Sequence, residues 1–124
     1  MIRFGAPVFL SENERSGCAG ESHGSSANDP EALARAAKAK GYTAVYAPKI
    51  PISDTARIHT VRDVFKRSDI IIAEVGYWDN LVDTDDTARA KNRTAMTEAL
   101  ALAEELHAQC AVDIFGSYCR GNGN

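Results

Sequence analysis

Apolar and polar positions fall in blocks along the chain, and the blocks change period. Ile2, Phe4, Val8 and Phe9 make a short apolar run, read as a first strand over residues 2–10. Pro7 belongs near the end of that strand, because proline donates no ladder hydrogen bond. Residues 42–47 make a second run centred on Val45 and closed by Pro48. Ile70, Ile71 and Ile72 open a third, β-branched run, which predicts a strand buried on both faces and ended by Gly76. Residues 111–115 make the fourth.

Between these runs the spacing becomes helical. Asp29-Pro30 predicts a clean helix start: the carboxylate caps free amides, and proline fits the first helical position. Leu33, Ala36 and Ala37 follow, and Gly41 supplies a left-handed stop. Asp54 predicts a second N-cap, ahead of Ile58, Val61, Val64 and Phe65; Ser68-Asp69 ends that helix. The acids of residues 83–86 sit where a helix macrodipole favours them. The helix they start runs to Leu106, with Met96, Leu100, Ala103 and Leu106 as its packing stripe and Glu98, Glu104 and Glu105 on its wet face. His107 stands where a helix-ending glycine is expected and reads as a surface histidine.

The predicted order is β-α-β-α-β-α-β, an α/β fold in which each helix is a right-handed crossover of a parallel sheet. One βα unit recurs about every 30–40 residues, a spacing compatible with a (β/α)8 barrel. At 124 residues the chain is the size of one domain. Residues 11–28 interrupt the pattern with a polar, Gly/Ser-rich loop, long for a βα connection.

Composition removes several function classes. The net charge is -3, and the Lys and Arg residues are spread through the helical segments, which argues against a nucleic-acid partner. The first ten residues are too short and too interrupted for a signal peptide or a membrane span, so no membrane role and a cytoplasmic location are expected. Three cysteines, Cys18, Cys110 and Cys119, with no CxxC, argue against a disulfide framework or a thiolate metal knot. Cys110 and Cys119 flank one strand. At roughly 3.3 Å per extended residue they lie beyond the ~7 Å reach of a bridge. All three read as reduced thiols.

Portable motifs are missing: no dinucleotide fingerprint, P-loop or nucleophile elbow occurs. Position is what remains. Ligands of parallel α/β proteins bind beyond the carboxyl ends of the strands. Those ends supply the His23 loop, Pro48-Lys49, Glu74 with Tyr77 and Trp78, and Ser117-Tyr118. Trp78 and Tyr77 offer a flat apolar wall to a sugar ring, Glu74 accepts hydrogen bonds from hydroxyls, and Lys49 suits a phosphate or carboxylate. The candidate substrate-binding residues are Glu74, Tyr77, Trp78, Ser117 and His23. No general acid/base pair and no complete metal site is evident, so no residue is assigned as catalytic or as a metal ligand.

Three places resemble the sugar phosphate isomerase/epimerase family, the xylose isomerase-like TIM barrels, and specifically the N-terminal half of that fold. They are Gly5–Phe9; Asp29–Ala34 running on to Lys40–Pro48; and Ile72–Leu81, with Arg89, Asn92 and Glu98–Leu106 behind it, then Val112–Ser117. The resemblance implies an eight-stranded barrel, a sugar or sugar phosphate as substrate, and a divalent metal, often manganese, that polarises a carbonyl and hydroxyl while two glutamates move the proton. It also implies that the glutamates and metal ligands come from the last four strands, so none is carried onto this chain. Glu74, Trp78 and Ser117 carry over as cleft residues. The long 11–28 loop and His107 depart from the family pattern.

The expectation is one partial domain over residues 1–124, strands one to four and helices one to three, truncated at its C-terminus and inactive alone. Its open sheet edges invite self-association. Two other readings compete. Barrel nucleases acting on abasic DNA need a histidine-rich zinc cluster, for which His23, His59 and His107 are a poor set. A non-catalytic four-stranded module holding a small polyol or anion is the stronger alternative.

Overall fold

The computed structural model describes residue 3, residues 5 and 6, and residues 29–117. Within them the chain runs β1 (Gly5–Ala6), α1 (Pro30–Ala39), β2 (Ala44–Tyr46), α2 (Thr55–Arg67), β3 (Ile71–Tyr77), α3 (Asp86–Glu105) and β4 (Cys110–Asp113). The strands form one parallel sheet in the order β1-β2-β3-β4. The predicted α/β alternation is therefore present. Most of the first strand, the 11–28 loop with His23 and Cys18, and Cys119 lie outside the described residues.

Local chemistry sets the helix boundaries. Asp29 accepts from the Glu31 amide at 3.1 Å and Pro30 occupies the first turn. Asp54 accepts from the Arg57 amide at 3.2 Å, and Asp85 from those of Thr87 and Ala88, both at 2.9 Å. Each bond satisfies one of the amides that a helix start leaves without a partner. Three helix exits turn left-handed: Gly41 at φ 74°, Asp69 at φ 51° and His107 at φ 54°. At His107 its own amide bonds Glu104 O and the Ala108 amide reaches back to Ala103 O at 2.8 Å. His107 thus takes the position expected for glycine, with its side chain exposed.

One contiguous core joins α1, α2 and α3 to β2 and β3. Ile58, Val61, Val64 and Phe65 are each 2% exposed or less, as helical spacing predicts. Burying each stabilises by about 1.5–3 kcal/mol. The α3 stripe differs from expectation. Leu100 is 50% exposed, whereas Leu102, Ala103 and Leu106 are buried and Ala99 packs beside them. The true stripe is 99, 102, 103, 106, rotated by about one residue toward the sheet. The polar sequence of α3 gave little to locate it: only Leu102 and Ala103 are buried along its twenty residues.

β3 also departs from the prediction. Ile72 and Val75 face the helices, but the other face is not sealed: Glu74 is half-buried and its row neighbours Tyr46 and Cys110 are exposed. A bulge explains how Ile72 and Val75 share a face. Val45 pairs with Ile72 and Tyr46 with Glu74, so Ala73 is an extra residue on β3. Because register partners of a parallel pair share a face, Tyr46, Glu74 and Cys110 form one row on the helix-free side, with Gly76 and Val112 in the next.

Candidate functional site

The carboxyl ends of β3 and β4 are locked together by Asn80. Its Nδ2 donates to Ser117 O at 2.7 Å, and its Oδ1 accepts from the amides of Ser117 at 3.0 Å and Val82 at 3.1 Å. Asn92 of α3 donates to Asn80 O at 2.9 Å, and Arg89 holds Asp83 O at 2.6 Å. Gly116 makes this approach possible. Its φ is 106°, and a Cβ there would sit 1.9 Å from Asn80 Oδ1.

The sequence candidates separate into two places. Glu74 lies on the helix-free face of the sheet. Trp78, 53% exposed, folds back onto that face at Gly76, where an added Cβ would stand 2.7 Å from Trp78 Cζ2. Ser117 is exposed in the loop that Asn80 ties down. Tyr77 points the other way, toward α3, in register with Asp113 of β4. His23 falls outside the described residues.

The Tyr77 hydroxyl and Asp113 Oδ1 are buried, and neither makes a hydrogen bond of good geometry among the described residues, although the Asp79 carboxylate comes close enough to the hydroxyl to act on it. The other Asp113 oxygen accepts from the Phe115 amide at 2.8 Å. Burial pushes the Tyr77 phenol above its ordinary value, and the negative charges of Asp79 and Asp113 push in the same direction.

Beside Tyr77 a cleft of about 590 Å³ opens between residues 47–52, the end of β3 and the flank of α3. Its walls are mostly apolar, with Ala95, Ala99 and Leu102 on the α3 side and Trp78 at the end. Lys49, Asp79 and Glu98 supply the charge. This cleft was not legible in the sequence, because its α3 wall is made by the small residues of a stripe that charged and polar neighbours obscure. Asp113 was missed for a related reason: its pairing with Tyr77 depends on the strand register.

Among the described residues no three His, Cys, Asp or Glu side chains gather as a metal site. The resemblance implies metal ligands on strands beyond the fourth, and no described residue is assigned as one. Cys110 is an exposed free thiol whose Sγ lies 3.4 Å from Ala73 O. Among the described residues no helix is long and apolar enough to cross a membrane. A scan against protein-family models, a search of curated proteins and a search of solved structures each returned no match.

Proposed function

We propose that the chain forms the first four strands and three helices of a (β/α)8 barrel of the sugar phosphate isomerase/epimerase kind, and supplies one wall of its substrate cleft. The winding of the sheet carries this reading. Four parallel strands follow in sequential order, and the three helices share one core on one face. A doubly wound sheet reverses its strand order and covers both faces. Sequential winding leaves a helix-free face, which a closed barrel turns inward. On that face Glu74 would accept hydrogen bonds from sugar hydroxyls and Trp78 would lie flat against the ring, with Ser117 at the rim. The reaction class is interconversion of sugars or sugar phosphates by proton transfer at a carbonyl and hydroxyl. A divalent metal such as manganese would polarise those groups, held with the proton-transferring glutamates on strands beyond β4. A cytoplasmic setting and self-association through the edges of β1 and β4 belong to the same reading.

The test uses Trp78, the sole tryptophan of the chain. Pentoses and their phosphates are expected to shift its emission, Glu74→Gln to weaken that response several-fold, and the 124-residue chain with Mn²⁺ to show no turnover. Turnover by the chain alone, or no response from the folded protein, refutes the proposal. A free-standing polyol- or anion-binding module is the second reading, favoured by the single contiguous core. Sedimentation separates the two: a monodisperse monomer that binds sugar supports the module, and association supports the half barrel.

A further inference from the structure

The cleft beside α3 lies on the helix side of the sheet, away from Glu74, and it is chemically unlike a sugar site. A sugar presents hydroxyls all round, whereas these walls are chiefly proline, isoleucine, alanine and leucine side chains with two aromatic rings. Its volume of about 590 Å³ suits one small molecule. The rim carries two carboxylates, Asp79 and Glu98, against one ammonium, Lys49, so its formal charge is negative. None of the three is in an ion pair within the described residues. Asp113 adds a further carboxylate behind Tyr77. The ring faces of Tyr77 and Trp78 are themselves electron-rich and attract cations.

We propose that this cleft binds a small aromatic cation, with a flat apolar body between the residues 47–52 loop and α3 and an ammonium group held by Asp79 and Glu98 at the Trp78 end. The inference uses neither Glu74 nor the helix-free face of the sheet, and shares with the barrel reading only Trp78, which ends the cleft. The apolar walls take the body, which a polyol cannot supply. The carboxylates select the sign of the head group, and Lys49 opposes an additional positive charge rather than creating an anion site.

Trp78 emission reads the test directly on the intact chain. The probes are benzyltrimethylammonium, benzyl alcohol, phenylacetate and ribose, matched in concentration. The expected order is cation first, neutral aromatic second, anion last. Glu98→Gln and Asp79→Asn, both at exposed positions, are each expected to weaken the cation two- to five-fold and leave benzyl alcohol unchanged. Lys49→Ala is expected to tighten the cation, and raising salt to weaken it. Equal binding of cation and neutral probe, preference for phenylacetate, or no response to any aromatic overturns the proposal. A response to ribose that disappears in Glu74→Gln but not in Glu98→Gln bears on the sugar site alone, so the two proposals fail separately.

Discussion

Replacing Asn80 by alanine removes three hydrogen bonds at once, and their settings differ. The bond from the Val82 amide is partly buried, while the two to Ser117 are exposed. A net hydrogen bond is worth about 0.5–1.5 kcal/mol, with the low end where water can replace the partner. One partly buried bond at about 1 kcal/mol and two exposed bonds at about 0.5 kcal/mol each give a loss of about 2 kcal/mol. At a urea dependence of about 2 kcal/mol per molar, the unfolding midpoint falls by about 1 M. Amide chemical shifts should move most at residues 114–117 and at Val82. Asn80→Asp sharpens the test. It keeps an oxygen for both amides but sets a carboxylate against Ser117 O, where the amide had donated. The two amides favour the carboxylate and the Ser117 carbonyl opposes it, so this variant should fall between wild type and Asn80→Ala in its unfolding midpoint. A midpoint within about 0.2 M of wild type for Asn80→Ala, or unchanged shifts at 114–117, refutes the reasoning.

Two further outcomes can be measured in the same way. His107→Gly should stabilise by about 1 kcal/mol in urea unfolding, because an L-residue at φ 54° pays a left-handed penalty that glycine avoids; a destabilised variant contradicts this. Arg3 donates to Asp69 at 2.9 Å and, by that hydrogen bond and its charge, holds the carboxyl below its ordinary value. The contribution is present above the unfolded carboxylate pKa and is lost as pH falls through the folded one. Arg3→Ala should therefore flatten the acid limb of the stability profile, and an unchanged limb refutes the linkage.

The parts of the fold readable in the sequence were those fixed by local chemistry. Asp29, Pro30 and Gly41 bracket α1, and Asp54 and Ser68-Asp69 bracket α2, with rules acting over a few residues. The parts not readable depended on partners distant in sequence. Met96 and Leu100 suit a helical stripe as well as Ala99 and Leu102 do, and only the position of the sheet decides between them. Glu74 and Tyr77 were grouped as one wall because both end the same strand. Their separation is plain strand alternation, since residues three apart face opposite sides; which of them meets the helices depends on the bulge, and the pairing that defines it comes from β2. Asn80 stands just past the end of β3, but its partners at Ser117 are set by the neighbouring strand.

The extra residue in β3 acts as a phase shifter. Upstream of Ala73 the even-numbered positions meet the helices; downstream the odd-numbered ones do. The triple isoleucine start and the aromatic end of one strand are thereby set on independent alternations. Deleting Ala73 would remove the bulge and set Ile72 and Glu74 in plain succession against Val45 and Tyr46, leaving Glu74 and Gly76 on the helix-free side and Val75 and Tyr77 toward the helices. A length change of one residue at this point is thus absorbed by the bulge, and both candidate sites keep their faces. A deletion between Glu74 and Tyr77, where the pairing is regular, is therefore a larger evolutionary step, because it would carry Tyr77 to the side of Glu74.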